Sequence, residues 1–173
     1  MRGISSFKLA LRILFVFSFS LCLNACEKKV SVSSLKTVPH FEVSTLNGEK
    51  TNQNDLQGKV AIVNFWATTC TVCQKELPQM IALYKKFHAQ GFDYLAIAMS
   101  YDPPMYVMDF SQKRQLPFRV AMDLNGQTAK IFGNVELTPT SFVINKQGQI
   151  LKKYEGEPDW VELDKIIEQA LAS

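Results

Sequence analysis

Phe65-Trp66-Ala67-Thr68-Thr69-Cys70-Thr71-Val72-Cys73-Gln74-Lys75-Glu76-Leu77-Pro78 is the stretch on which the fold of this 173-residue chain is decided. It begins at the end of Val60–Trp66, a run apolar on both faces, as a central buried strand should be. It then passes into a predicted helix over Thr71 to Ala89. There Val72, Leu77, Met80, Ile81, Leu83, Tyr84 and Phe87 recur at helical spacing, and Gln90-Gly91 closes the element. The two cysteines therefore fall where a buried strand gives way to a helix, the edge of an α/β sheet that carries the chemistry. At a helix N-terminus, unpaired N–H groups and the positive end of the dipole stabilise a Cys70 thiolate. Cys73, three residues on, lies on the same side of the first turn, within reach of Cys70, and is the partner expected to be buried.

Outward from this stretch, strand and helix signals alternate. Phe41–Thr45 and Glu49–Thr51 flank Asn47-Gly48, a hairpin signal, and Asp55–Lys59 is a turn. Tyr94–Met99 is a second buried strand. Pro103-Pro104 opens a helix through about Gln115, since proline is tolerated in a first turn. Arg119–Met122 is a short strand, Asp123–Gly126 a turn and Thr128–Phe132 a short helix. Thr140–Ile144 and Gln149–Tyr154 form a second hairpin. A last helix over Pro158–Ala172 buries Trp160, Leu163, Ile166, Ile167, Ala170 and Leu171. There is no internal repeat. The pattern predicts an α/β fold, a mixed sheet flanked by helices on both faces with an N-terminal β-hairpin extension.

The net charge of +3 is an address, not a partner surface. Arg2, Lys8 and Arg12 lie in the first 25 residues, which hold no acid; the remaining 16 basic residues face 16 acidic ones. A neutral domain gives no reason to expect nucleic acid. Ile13–Leu23 is an apolar run too short to cross a bilayer core of about 30 Å at about 1.5 Å per residue. Basic stretch, short apolar core and small residue together describe an export signal. Leu23-Asn24-Ala25-Cys26 resembles the lipobox of bacterial lipoproteins, in which the cysteine is lipidated and becomes the mature N-terminus. Asn24 is a less usual occupant there, and an uncleaved anchor or an ordinary signal peptide are the other readings. The expected organisation is a signal peptide over 1–25 with Cys26 lipidated, a tether over 26–38, and the folded domain over 39–173. All three readings place that domain outside the cytoplasm.

With Cys22 in the leader and Cys26 blocked by lipid, only Cys70 and Cys73 remain. A structural disulfide rarely closes so small a loop, because the entropic benefit grows with loop length. Zinc needs two further ligands, and the only histidines, His40 and His88, sit in no ligand pattern. Redox exchange is the leading reading, with no cofactor and no metal expected.

The Phe65–Pro78 stretch, with Thr138-Pro139-Thr140 some 65 residues later, resembles the thioredoxin superfamily. More narrowly it resembles the membrane-tethered, TlpA/ResA-like thiol-disulfide oxidoreductases, over roughly Pro39 to Ala172. The resemblance implies that Cys70 attacks and Cys73 resolves. It implies that Pro139 is the cis-proline beside the disulfide, and that Thr138, Pro139 and Trp66 border the bound substrate. Pro78 matches the helix-kinking proline. The buried aspartate of thioredoxin is replaced by Asn64, which cannot titrate. Glu76 stands where TlpA/ResA-like members carry a glutamate, one helical turn beyond Cys73, and is read as its proton acceptor or relay. The competing reading is an exposed acid that favours the helix dipole. Two departures stand out, Thr69 for the usual tryptophan and Val72 for the usual proline. Both bear on the reduction potential, so a net reductase direction is favoured on family grounds alone.

The expected activity is reduction of disulfides in exported proteins, with cytochrome c maturation as one setting and recycling by a membrane electron donor of the DsbD/CcdA type. A thiol peroxidase of the same fold needs a Thr-x-x-Cys that is not present. A Cu(I) chaperone would add thioether ligands such as Met105 and Met108, a pair more often found in a core. A DsbA-like oxidase needs a helical insertion for which the segment between Cys73 and Pro139 has no room. The ring-rich Tyr101-Asp102-Pro103-Pro104-Met105-Tyr106 is read as a solvated loop, with a groove border as the lesser alternative. Arg119 and Trp160 are read as structural.

Overall fold

The computed structural model describes residues 36–173. The leader, Cys22, Cys26 and most of the expected tether lie outside the described residues. Seven strands form one sheet: β1 (Glu42–Thr45), β2 (Lys50–Asn52), β3 (Val60–Trp66), β4 (Phe92–Ala98), β5 (Arg119–Met122), β6 (Thr140–Ile144) and β7 (Ile150–Glu155). Their order across the sheet is β2-β1-β5-β4-β3-β6-β7. Helices α1 (Thr71–Phe87), α2 (Pro104–Arg114), α3 (Gln127–Ile131) and α4 (Trp160–Ala172) complete the α/β, thioredoxin-like arrangement.

The double-sided apolar run becomes the central strand. β3 runs parallel to β4 along its whole length and antiparallel to β6 from Ala61 to Phe65. All seven of its residues are buried. Because side chains alternate along a strand, Val60, Ile62 and Trp66 face one side, with Met80 and Phe87 of α1, Val107 of α2 and Leu163 and Ile167 of α4. Ala61, Val63 and Phe65 face the other, with Phe41, Leu56 and Ala129. There Phe132 meets Phe41, Phe65 and Phe142 edge to face, with centroids 5.1–5.4 Å apart. Both faces carry helices, but unequally: three on one, and short α3 with the 3-10 turn Gln53–Leu56 on the other.

Two expectations shift. The β1–β2 hairpin is more than an extension, because β1 pairs antiparallel with β5 and the hairpin forms the edge of the single sheet. Backbone pairing with the sheet begins at Lys36, inside the stretch expected as tether. Lys36 O accepts from Ile150 N–H at 2.8 Å, Val38 N–H donates to Gly148 O at 2.9 Å, and Thr37 bridges Gln149. Periodicity misses this because backbone pairing needs no apolar pattern. The contact lies at the β6–β7 turn, at the end of the sheet opposite Cys70, since Ile144 of β6 pairs with Ala61 near the start of β3.

At that same end, buried Asp93 accepts from Lys59 Nζ at 3.1 Å and Arg119 Nη2 at 2.7 Å. Arg119 Nη1 also donates to Thr51 Oγ1 at 2.5 Å, so one guanidinium ties β5 to β4 and to β2. Arg119 is thus structural, as its sequence context suggested. Breaking a buried pair leaves a charge without its partner, although Lys59 retains part of the compensation. Arg119→Leu is expected to lower the unfolding free energy by about 2–4 kcal/mol, read from urea unfolding, with thiol–disulfide exchange unaffected.

Candidate active site

The turn Ala67–Cys70 follows β3 and is closed by Cys70 N–H donating to Ala67 O at 3.1 Å. Cys70 is then the N-cap of α1, in extended backbone, and its sulfur accepts from the Cys73 N–H at 3.1 Å. A sulfur thus takes the place a serine or aspartate oxygen usually holds, satisfying one of the helix's free donors. Cys70 and Cys73 are joined as a disulfide with Cα atoms 5.2 Å apart. Cys70 is half-buried, and Cys73 is the buried partner, as expected. The accessible sulfur is therefore the one at the helix N-terminus, where an anion is favoured.

Behind the disulfide lies a small cavity, with room for a water's centre over about 20 Å³, walled in part by Asn64, Trp66, Cys73, Glu76, Met80 and Tyr94. That space suffices for one water, which requires roughly 10–15 Å³ by this measure. Glu76 is only 2% exposed, so the reading of an exposed first-turn acid is ruled out. Among the described residues its Oε2 has no hydrogen-bond partner. Burial pushes its carboxyl up to about 8, and the negative charge of Glu157 adds to the rise. Burial, and then the Glu76 charge, likewise hold the Tyr94 phenol well above its usual range. The Trp66 indole N–H is also buried, without a partner among the described residues. An acid pushed up to about 8 and the Cys73 sulfur thus share one confined space. That is the arrangement proton transfer to and from sulfur requires.

The remaining predicted residues separate into two groups. The Thr138–Pro139 peptide bond is cis, and the Tyr101 hydroxyl lies 3.5 Å from Thr138 Oγ1, which brings the ring-rich stretch to the border of the site. Trp66 does not border an open groove. It is 6% exposed and packs against Phe110 with centroids 5.3 Å apart, because as the last residue of β3 it points into the core. Asn64 is buried and donates to Ser141 Oγ at 2.9 Å, a fixed amide joining β3 to β6. Val72 is exposed despite its apolar spacing, and Met105 and Met108 are exposed, not core. Sequence reasoning missed Tyr94 as a cavity wall; its place in a continuous apolar strand concealed it.

A carboxyl held protonated by burial destabilises the fold as it ionises. The folded-state value lies above the unfolded one, so the stabilisation is complete at low pH and is lost as pH rises toward about 8. In the oxidised protein, Glu76→Gln should therefore melt close to the native chain near about pH 4 and several degrees above it near about pH 9. Parallel melting curves across that range would contradict the assignment of Glu76.

The comparisons with known proteins agree with this geometry. The family model described as Redoxin matches residues 34–171. The thiol-disulfide oxidoreductase ResA of Bacillus thuringiensis subsp. konkukian is 34% identical over 143 residues, covering 83% of this chain and 80% of that one. ResA of Bacillus subtilis is 33% identical over 128 residues, covering 74% and 70%. The crystal structure of a thiol:disulfide interchange protein of the thioredoxin family from Chlorobium tepidum superposes with a TM-score of 0.71 at 28% identity, covering 79% of this chain and 97% of that one. A disulfide capping the helix that follows the central strand, in a chain this similar to ResA over nearly all its described length, places the protein in the Redoxin family, as a ResA-like thiol-disulfide oxidoreductase.

Proposed function

We propose that this oxidoreductase reduces disulfides of exported proteins on the outer side of a membrane, held there by lipid on Cys26. The observation that carries the reading is the pairing of an accessible sulfur at a helix N-terminus with a buried acid beside the second sulfur. In the reduced enzyme the Cys70 thiolate attacks one sulfur of a client disulfide. A Cys70–client bond forms, and the client's other sulfur leaves as a thiolate. Glu76, as carboxylate, takes the proton of the Cys73 thiol. The Cys73 thiolate then attacks the Cys70 sulfur, and the second client sulfur departs and takes up a proton. Two electrons pass to the client, and the enzyme is left with the Cys70–Cys73 disulfide. A group titrating near 8 suits both halves of this exchange, because it accepts from a thiol and donates to a thiolate at little cost either way.

The client strand is assigned to the ledge formed by Thr138 and Pro139, which precedes β6 at the sheet edge where β3 ends. Trp66 is assigned to the wall of the proton-transfer cavity, since its ring is covered. Return of the enzyme to its dithiol form requires an electron donor in the same membrane, of the DsbD/CcdA type. Among the described residues no helix is long and apolar enough to cross a membrane, so attachment is assigned to the leader. The export signal of the first 25 residues and the lipobox-like Leu23–Cys26 support that assignment.

Cys73→Ser expressed with its leader should accumulate mixed disulfides between Cys70 and exported clients, visible as reducible high-mass species in the membrane fraction. Trapping by Cys70→Ser instead would reverse the order of attack. In Glu76→Gln, the pH profile of Cys73 alkylation should move; an unchanged profile would remove Glu76 from the proton path.

A further inference from the structure

The ring-rich stretch Tyr101–Tyr106 contains one residue that behaves unlike its neighbours. Tyr101, Met105 and Tyr106 are more than half exposed, whereas Asp102 between them is 2% exposed. Its carboxylate is spent on a single residue across the site. Oδ2 accepts from the Thr68 N–H at 2.5 Å, and Oδ1 accepts from the Thr68 hydroxyl at 2.6 Å. Thr68 is the second residue of the Ala67–Cys70 turn, and its carbonyl accepts from Gln74 Nε2 at 2.6 Å. Every polar group of Thr68 is therefore held, two by Asp102 and one by the first turn of α1. Asp102 is itself anchored, since its N–H donates to Met99 O at 3.0 Å and the Met99 N–H donates to Trp66 O at 3.0 Å. The ends of β3 and β4 are thus joined twice, once by backbone and once through this carboxylate.

We propose that Asp102 is a positioning residue for Cys70: through its two bonds to Thr68 it fixes the turn that sets the Cys70 sulfur over the N-terminus of α1. The argument is geometric. Three residues, Ala67, Thr68 and Thr69, separate the last strand position from the helix cap, and fixing the second of them on all sides leaves little freedom in where Cys70 begins. The cap contact between the Cys70 sulfur and the Cys73 N–H depends on that placement. Bonds to an ionised acceptor are short and strong, which suits a carboxylate to this task. Its charge, however, acts against a neighbouring thiolate, so the benefit to Cys70 must come from the bonds and not from the field. The inference rests on the reading of Cys70 as the attacking thiol, but not on any client or on the direction of electron flow.

The two contributions separate in a pair of substitutions. Asp102→Asn removes the charge and keeps both contacts, with Oδ1 accepting from the Thr68 N–H and Nδ2 donating to the Thr68 hydroxyl oxygen. Asp102→Ala removes charge and contacts alike. The reduced full-length protein is alkylated with iodoacetamide across a pH series, and the labelled cysteine is identified by peptide mass. The alkylation midpoint of Cys70 in Asp102→Ala is expected about one pH unit above that in Asp102→Asn, a tenfold difference in thiolate at pH values below both midpoints. Disulfide exchange with a small aromatic disulfide at such a pH should slow by a comparable factor. Coincident profiles for the two variants would overturn the proposal, whatever their melting temperatures. Should Asp102→Ala not fold, Thr68→Val against Thr68→Ser removes the hydroxyl contact alone and keeps the N–H contact, so a smaller shift in the same direction is expected, and coincident profiles there overturn the proposal. Label on Cys73 in place of Cys70 in the unsubstituted protein would instead refute the order of attack, and the proposal with it.

Discussion

The contact between the Cys73 N–H and the Cys70 sulfur is the constraint around which the active edge is organised. It serves two purposes with one donor. In the oxidised protein it satisfies a helix N-terminal N–H that would otherwise need a serine or aspartate cap. In the dithiol the same donor, with the helix dipole behind it, faces whatever charge develops on Cys70. For this to work the strand must end, the chain turn and the helix begin within four residues, and the sheet provides that. β3 is paired on both sides as far as Phe65, and its last residue, Trp66, is buried and paired with Ala98 of β4, which leaves it little freedom to adjust.

The same rigidity explains why the second sulfur has an acid for company. A helix that starts at the edge of a buried strand must lay its next turns against the sheet. Cys73, Glu76, Met80, Leu83 and Phe87 follow at helical intervals on the side that does so. Four of these are apolar and stabilise the fold. Glu76 is the exception, a carboxyl taken out of water beside the Cys73 sulfur, and its raised pKa follows first from that burial and then from the charge of Glu157. Local instability is accepted there in return for a group that ionises where thiols do.

Much of this was legible in the sequence, and for identifiable reasons. Val60–Trp66, which has the strongest two-sided pattern, has the predicted ends, because nothing competes with burial at those positions. Strand β4 begins two residues before its predicted start and α1 ends two before its predicted end, where backbone pairing and a 3-10 turn decide and side-chain pattern does not. The cysteines were legible because their spacing and placement coincide. The burial of Glu76 could also have been read: it lies three residues after Cys73 and four before Met80, on the face that packs. Asp102 could not. Its neighbours are exposed rings and prolines, and its partner Thr68 is 34 residues away, a pairing that exists only once β3 and β4 lie side by side.

Thr69 and Val72, the two departures from the family pattern, acquire a physical meaning from this frame. Thr69 is exposed beside Cys70, so the apolar cover that a tryptophan gives there is replaced by a small hydroxylated side chain open to water. Val72 is likewise exposed, and its position retains a backbone N–H in the first turn of α1 that a proline would lack. An extra donor near the sulfur favours the thiolate and hence the reduced enzyme, whereas greater solvation weakens every local field, that of the donor included. Both substitutions therefore bear on the charge carried by the Cys70 sulfur. Thr69 lies in the Ala67–Cys70 turn but makes none of the bonds that hold Thr68, and neither residue lines the cavity that holds Glu76. The potential of the pair can change at positions 69 and 72 while the geometry of exchange is kept, because the parts that set position are buried and the parts that set environment are on the surface.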